Sequence, residues 1–350
     1  MRIEQLTFTR FIAAVLIVIF HFGSGRFHFN NFYLQFLFKQ ANVSVSYFFI
    51  LSGFVMIIAY QKNSKIDFLS YLKNRFARIY PIYFIAIFLL LILSILSKKV
   101  DFEGLVLNLL IIQAWIPGKA LSFNIPGWSL SVEFLFYILF PFLFNSFYSK
   151  IPFKKLIFPI ALFWVISQII YHILIFNKYL LELMVYKIDV SYFPLMHLNE
   201  FLVGNLAGLY FINSRVTKRN FDFYIIGIVM LIVVVLKFPI GLNFHNGLLA
   251  LFFIPLIILL ALNDGKISTL FKTKICIFLG EISFGIYILQ FVVWQWISDY
   301  RLEKYFGIDK TKDFVFAFFI RLFILIFISS VSYVFIETPI RNRIKRVAVN

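Results

Sequence analysis

Apolar stretches recur along the chain, each broken by a short polar interval. Runs that suit a membrane span lie at 6–22, 43–60, 79–97, 129–147, 155–176, 195–212, 222–239, 244–262, 277–297 and 314–336. A hydrocarbon core takes about 20 apolar residues as a helix. Lipid offers no water to the backbone, so a single spanning segment must satisfy its own hydrogen bonds. The pattern predicts an all-α integral membrane protein with about ten transmembrane helices. One further apolar run, 104–116, is short and runs into Pro117, Gly118, Pro126 and Gly127, which break helices.

The basic residues decide whether that run crosses. If it does not cross and the N-terminus is inside, the inner segments hold 20 Lys and Arg and the outer ones 11. If it crosses, the tally becomes 14 inside and 17 outside, and the tail with Arg341, Arg343, Lys345 and Arg346 falls outside. Cytoplasmic loops carry the excess of Lys and Arg. The expected topology therefore has both termini cytoplasmic and residues 104–128 as a re-entrant or surface segment on the outer side.

Composition narrows the class further. The 350 residues are 62% hydrophobic and 14% charged, against roughly half and a quarter in a soluble domain. Too little polar surface exists to coat a globule, which excludes a soluble enzyme, a disordered tail and a disulfide scaffold. The spans consume most of the chain, so residues 1–350 are expected to form one polytopic domain with no fused soluble domain. A net charge of +17 in so apolar a chain marks anchoring at the lipid bilayer and not a nucleic-acid partner. Cys276 is the only cysteine, so no intrachain disulfide and no cysteine-based metal site is expected.

Ionisable residues inside spans carry the candidate chemistry, because their insertion cost makes them face a bundle interior or a wet cavity. Arg10 and His21 are eleven residues apart on the first span. That spacing is three turns plus about 20°, so both point the same way, ~16 Å apart along the axis. Arg10 is expected near the cytoplasmic end and His21 near the outer end. Glu133, one turn into the fourth span, is expected at the level of His21, where a carboxylate could fix its tautomer for general-base chemistry. Snorkelling of Arg10, capping by His21 and a structural pairing of Glu133 remain open as plainer alternatives. Arg75 and Arg78 lie one turn apart if helical, beside Tyr80 and Pro81. They make a cationic patch suited to phosphate, or simply to positive-inside anchoring. All five histidines, His21, His28, His172, His197 and His245, fall toward the outer side without a metal-ligand spacing, so no metal is expected. Gly204 and Gly208 read as a packing notch, with Glu200 one turn earlier in the bundle interior. Arg321 in the last span needs a partner, with Glu200 or Glu281 as candidates.

Together these residues resemble the membrane acyltransferase-3 family, whose hallmark is Arg10-x10-His21. Further pieces stand in the family's order: Tyr47–Phe54, Arg75-Phe-Ala-Arg78-Ile-Tyr80-Pro81, Trp128-Ser129-Leu-Ser131-Val-Glu133, Leu279-Gly-Glu281-Ile-Ser-Phe-Gly-Ile-Tyr287 and Ile336-Glu337-Thr338-Pro339. The match covers residues 3–341. Gln290 stands where the family often has His, and Phe284 replaces a common Tyr.

The resemblance implies a membrane O-acetyltransferase of the bacterial inner membrane. It would move acetyl from cytoplasmic acetyl-CoA, the acyl-donor substrate, to a hydroxyl of a cell-surface or lipid-linked polysaccharide. His21 and Glu133 would be catalytic. Arg10, Arg75, Arg78 and Tyr80 would bind the donor, and Ser52, Trp128, Ser129, Ser131 and Glu200 the acceptor. The alternatives are a transporter or flippase of a glycan or lipid intermediate, or an acyltransferase acting on a non-glycan hydroxyl. A transporter is disfavoured because no inverted repeat is visible.

Overall fold

The computed structural model describes residues 3–24, 29, 31, 33–177, 189–214, 217–309 and 311–347, with side chains described to residue 344. His28 lies outside the described residues. Among those described, helix dominates and the one β feature is an isolated bridge between Arg219 and Asn263. In chain order the helices are α1 (Gln5–Phe22), α2 (Gln35–Lys39), α3 (Val43–Tyr60), α4 (Phe68–Leu96), α5 (Phe102–Leu109), α6 (Trp128–Leu143), α7 (Phe153–Phe176) and α8 (Leu198–Asn213). They continue as α9 (Asp222–Lys237), α10 (Ala250–Leu262), α11 (Lys266–Phe271), α12 (Lys274–Glu281), α13 (Ser283–Trp296), α14 (Asp299–Phe306), α15 (Phe314–Ser332) and α16 (Thr338–Val347).

Among the described residues, six helical segments are long and apolar enough to cross a membrane: α1, α3, α4, α6 with its flanking turns, α7, and α15 running on into α16. The pair α12–α13, bent by 53°, makes a seventh if counted as one span. Three other stretches expected to span are shorter helices, α8 and α9 of 16 residues and α10 of 13. At 1.5 Å per residue they extend ~24 and ~20 Å, less than a ~30 Å hydrocarbon core.

The segment after α4 contains no helix long enough to cross a hydrocarbon core. Its one helix, α5, has eight residues, or ~12 Å. Two 3-10 turns follow, at Gln113–Trp115 and Ile125–Gly127. Asn108 ties the segment together, donating to Gly104 O and Ser122 O while accepting from the Tyr83 hydroxyl.

α4 begins earlier than its apolar run. Asp67 caps it by accepting from Ser70 N at 2.9 Å, a preferred N-cap arrangement. The helix is 29 residues long, ~43 Å. Its first turns therefore project past the apolar core, and Arg75 and Arg78 ride on them.

α3 is the central helix, buried along most of its length, whereas α9 buries only Ile225 and Leu236. α3 and α8 lie backbone to backbone. A Cβ on Gly53 would strike Phe201 O and Asn205 N, and one on Gly204 would strike Ile50 O. The small-residue notch is the reason α8 fits against α3. Arg321 finds neither glutamate suggested for it. It donates from Nε to Ile297 O at 2.7 Å and from Nη2 to Asp299 at 2.6 Å. The loop after α13 folds back over the upper turns of α15, and proximity there outranks any carboxylate deeper in the bundle.

Candidate active site

Arg10 from α1 and Arg75 and Arg78 from α4 converge on one chamber of about 440 Å³. Glu281, Tyr333, Glu337 and Arg341 line it as well. Two smaller cavities continue from it. The first, about 90 Å³, shares the three arginines and adds Ser52, Glu133 and Tyr137. The second, about 40 Å³, shares Arg10 and Glu133 and adds Ser129, Ser283 and Tyr287. The shared walls make a path that is wide and cationic at one end and narrow at Tyr287.

The cationic end is held rigidly. The Arg75 guanidinium lies over the rings of Tyr71, Tyr60 and Tyr137 at 5.1–6.0 Å and donates to the Tyr60 hydroxyl at 3.3 Å. Such cation–π cages fix a guanidinium without neutralising it. Glu133 accepts from the Tyr137 hydroxyl at 3.0 Å, with Arg78, Arg10 and Arg75 as its charged neighbours. The carboxylate therefore stands with the arginines, and its expected hydrogen bond to His21 is not made.

His21 has a different partner. Its Nδ1 lies 2.9 Å from Gln290 Oε1. Gln290 Nε2 donates to Tyr287 O at 2.8 Å, and a carbonyl only accepts, so the amide orientation is set. Gln290 Oε1 is then an acceptor, and the proton of neutral His21 sits on Nδ1. Nε2 keeps its lone pair. Gln290, which looked like a departure from the family pattern, does the orienting that Glu133 was expected to do. The same chain of bonds links His21 to the narrow end, because Tyr287 lines that cavity and donates its hydroxyl to Pro126 O. His21 itself does not line the three connected cavities.

The other expected site residues divide. Ser52 and Ser129 line the narrowing path. Tyr80 does not reach the chamber; its hydroxyl donates to Leu109 O at 3.2 Å and fastens α5 to α4. Ser131 is fully buried, with its Oγ 3.5 Å from Ala114 N. Trp128 packs among Tyr192, His197 and His245, with ring centroids 5.0–5.6 Å away. Glu200 is wholly buried and bonds His197 Nδ1 at 2.7 Å, while His197 Nε2 meets Ser191 O at 3.0 Å. Tyr80, Trp128, Ser131 and Glu200 thus hold the frame around the path and do not line it. No group of three or more His, Cys, Asp or Glu suited to a metal ion occurs among the described residues.

Arg341, Tyr333 and Glu337 are lining residues that the sequence reading did not assign to a site. The signal that would have found them is the π-helix Tyr333–Glu337, whose wide turn is frequent at functional sites but has no sequence signature.

No solved structure matches the chain. The acyltransferase MdmB of Streptomyces mycarofaciens is 32% identical over 166 residues, covering 44% of this chain and 42% of that protein. The chain thus matches less than half the length of that relative. A family model described as an acyltransferase domain matches residues 3–336, which contain Arg10, His21, both α4 arginines, Glu133 and Gln290. With that match over nearly its whole length, the chain belongs to the membrane acyltransferase-3 family.

Proposed function

We propose that this acyltransferase moves an acetyl group from cytoplasmic acetyl-CoA to a sugar hydroxyl of a cell-surface or lipid-linked polysaccharide. One observation carries the reading: a chamber with Arg10, Arg75, Arg78 and Arg341 narrows along Ser52, Glu133 and Ser129 to Tyr287. Guanidinium forks suit phosphate oxygens. The wide end would hold the phosphates, and the pantetheine arm would run along the path with its thioester foremost.

The chemistry falls to His21. Its Nε2 lone pair would take the proton of the acceptor hydroxyl as that oxygen attacks the thioester carbonyl. The C–S bond then breaks, and the proton passes to the departing CoA thiolate. Gln290 would hold the tautomer throughout and stabilise the imidazolium through the Nδ1–H bond. Glu133 and Tyr137 would keep the arginines arrayed. The topology this requires has ten spans, both termini cytoplasmic and residues 104–128 on the outer side of a bacterial inner membrane. It puts the chamber inside, because its arginines belong to the inner set of basic residues.

The test is acetyl transfer from labelled acetyl-CoA in proteoliposomes, paired with mass spectrometry of the envelope glycan from cells with and without the protein. Label incorporation, and a glycan that loses acetyl when the protein is absent, support the reading. Absence of transfer to any hydroxyl acceptor overturns it.

A further inference from the structure

Glu337 is a carboxylate in the chamber that the transfer reading leaves unused. It closes the π-helix Tyr333–Glu337, is 8% exposed, and faces Arg78, Arg341 and Arg10 as its charged neighbours. Glu281, the other carboxylate on this wall, already accepts from the Tyr333 hydroxyl at 2.5 Å. Glu337 Oε1 is shielded from solvent and accepts no hydrogen bond, and Arg75 Nε is shielded and makes none. Buried polar atoms in this state are rare and costly. The chamber thus lacks partners of both kinds: an acceptor for a guanidinium N–H, and an N–H or O–H for a carboxylate.

The location narrows the ligand. Glu337 and Arg341 line the wide chamber but neither continuation. Whatever meets Glu337 is therefore at the end of the donor farthest from the thioester. A carboxylate among arginines weakens the hold on every anion. Only a ligand that donates a hydrogen bond back to it recovers that loss, which is how a penalty produces specificity. A pantetheine arm that ends at its phosphate offers no such group there. A nucleotide does, through a ribose hydroxyl or the adenine amine.

On the donor reading above, we infer that Glu337 is a specificity-determining residue that accepts a hydrogen bond from the nucleotide of the acyl donor. It favours CoA thioesters over phosphopantetheine thioesters. The test is calorimetric titration of the full chain in nanodiscs with coenzyme A, 4′-phosphopantetheine and inorganic pyrophosphate. The wild type is expected to bind coenzyme A most tightly. In Glu337→Ala the ratio of coenzyme A to phosphopantetheine affinity falls about tenfold, the scale of one hydrogen bond to a charged acceptor, while pyrophosphate binds more tightly. Glu337→Gln keeps the shape and an acceptor oxygen without the charge. It is the variant to use if the alanine variant does not fold, and it should keep part of the ratio and tighten pyrophosphate.

An unchanged ratio with all three probes shifted together overturns the inference and leaves the donor reading standing. So does unchanged pyrophosphate binding in Glu337→Gln. A wild type that binds none of the three overturns the donor reading, and the inference with it.

Discussion

His21 and His197 are both imidazoles in the helical bundle, held by opposite means. His21 meets an amide oxygen through Nδ1, and its Nε2 keeps a lone pair. His197 meets a carboxylate through Nδ1 and a backbone carbonyl through Nε2, and is fully buried. In the structure His197 and Glu200 form the carboxylate–imidazole contact that the sequence reading expected of His21 and Glu133. That contact does not make His197 the base, because a base needs an unoccupied nitrogen more than it needs a carboxylate. His197 has none to offer, and its bonds go into fixing the start of α8 beneath Trp128.

The largest effect separates the two outright. Loss of a positioned general base lowers rates by about 10²–10⁴-fold. His21→Ala should therefore lose acetyl transfer on that scale, measured in proteoliposomes, while its melting temperature in detergent stays within a few degrees. His197→Ala should do the reverse, with a clear fall in melting temperature and transfer per folded molecule held within about twofold. Full transfer by the His21 variant would remove the distinction altogether.

A smaller effect tests why His21 is the one poised to act. Gln290→Ala leaves the imidazole free to turn and change tautomer, and about tenfold should be lost in kcat with KM for acetyl-CoA little changed. Gln290→Glu still offers an oxygen to Nδ1–H and should retain more of the rate. If the alanine variant kept full kcat, the tautomer would not be set by this bond.

The structural half of the comparison is tested by Glu200→Gln. The substitution keeps the shape and removes the carboxylate partner of a buried ring nitrogen. It should cost roughly 1–3 kcal/mol, read as a lowered midpoint in a reversible denaturation assay. An unchanged midpoint would mean the 2.7 Å contact is dispensable to the fold.

What the sequence could reveal of this arrangement follows from range. Runs of apolar residues are local, so α1, α3 and α7 are legible within a few residues, as is the lack of a long helix at 104–116. The start of α4 at Phe68 lay hidden in a polar stretch, although Asp67 and Ser70 carried its cap. Arg10, Arg75 and Arg78 are conspicuous because charges in apolar runs need a reason, and they do line one chamber. Partners across the bundle are not legible. Gln290 is 269 residues from His21, and an amide in an apolar helix gives no hint of what it faces. Glu133 illustrates the limit: its depth along the helix was readable, but which neighbour it turned toward was decided by Tyr137 on its own helix and by Arg78, Arg10 and Arg75 across the bundle. Glu337 needed the π-turn before it, a backbone feature that side-chain patterns do not encode.

The smallest expected effect concerns the seam that carries His197. α8 meets α3 at Gly204 and again at Gly208, and the two contacts are unequal. At Gly204 an added Cβ would meet the Ile50 backbone carbonyl, which cannot turn aside. At Gly208 it would meet the Ile57 side chain at 2.8 Å and Phe54 O at 3.0 Å. The overlap at Gly204 is the deeper of the two and is entirely with backbone atoms of Ile50, so overpacking should cost more at the first position. Gly204→Ala should lower the melting temperature by several degrees, and Gly208→Ala by no more than half as much. Neither glycine touches the path from the arginines to Tyr287, so the loss of kcat on Gln290→Ala should be the same in either background. If Gly208→Ala enlarged that loss, the seam at His197 and the base at His21 would be coupled, and the two histidines would no longer be separate devices.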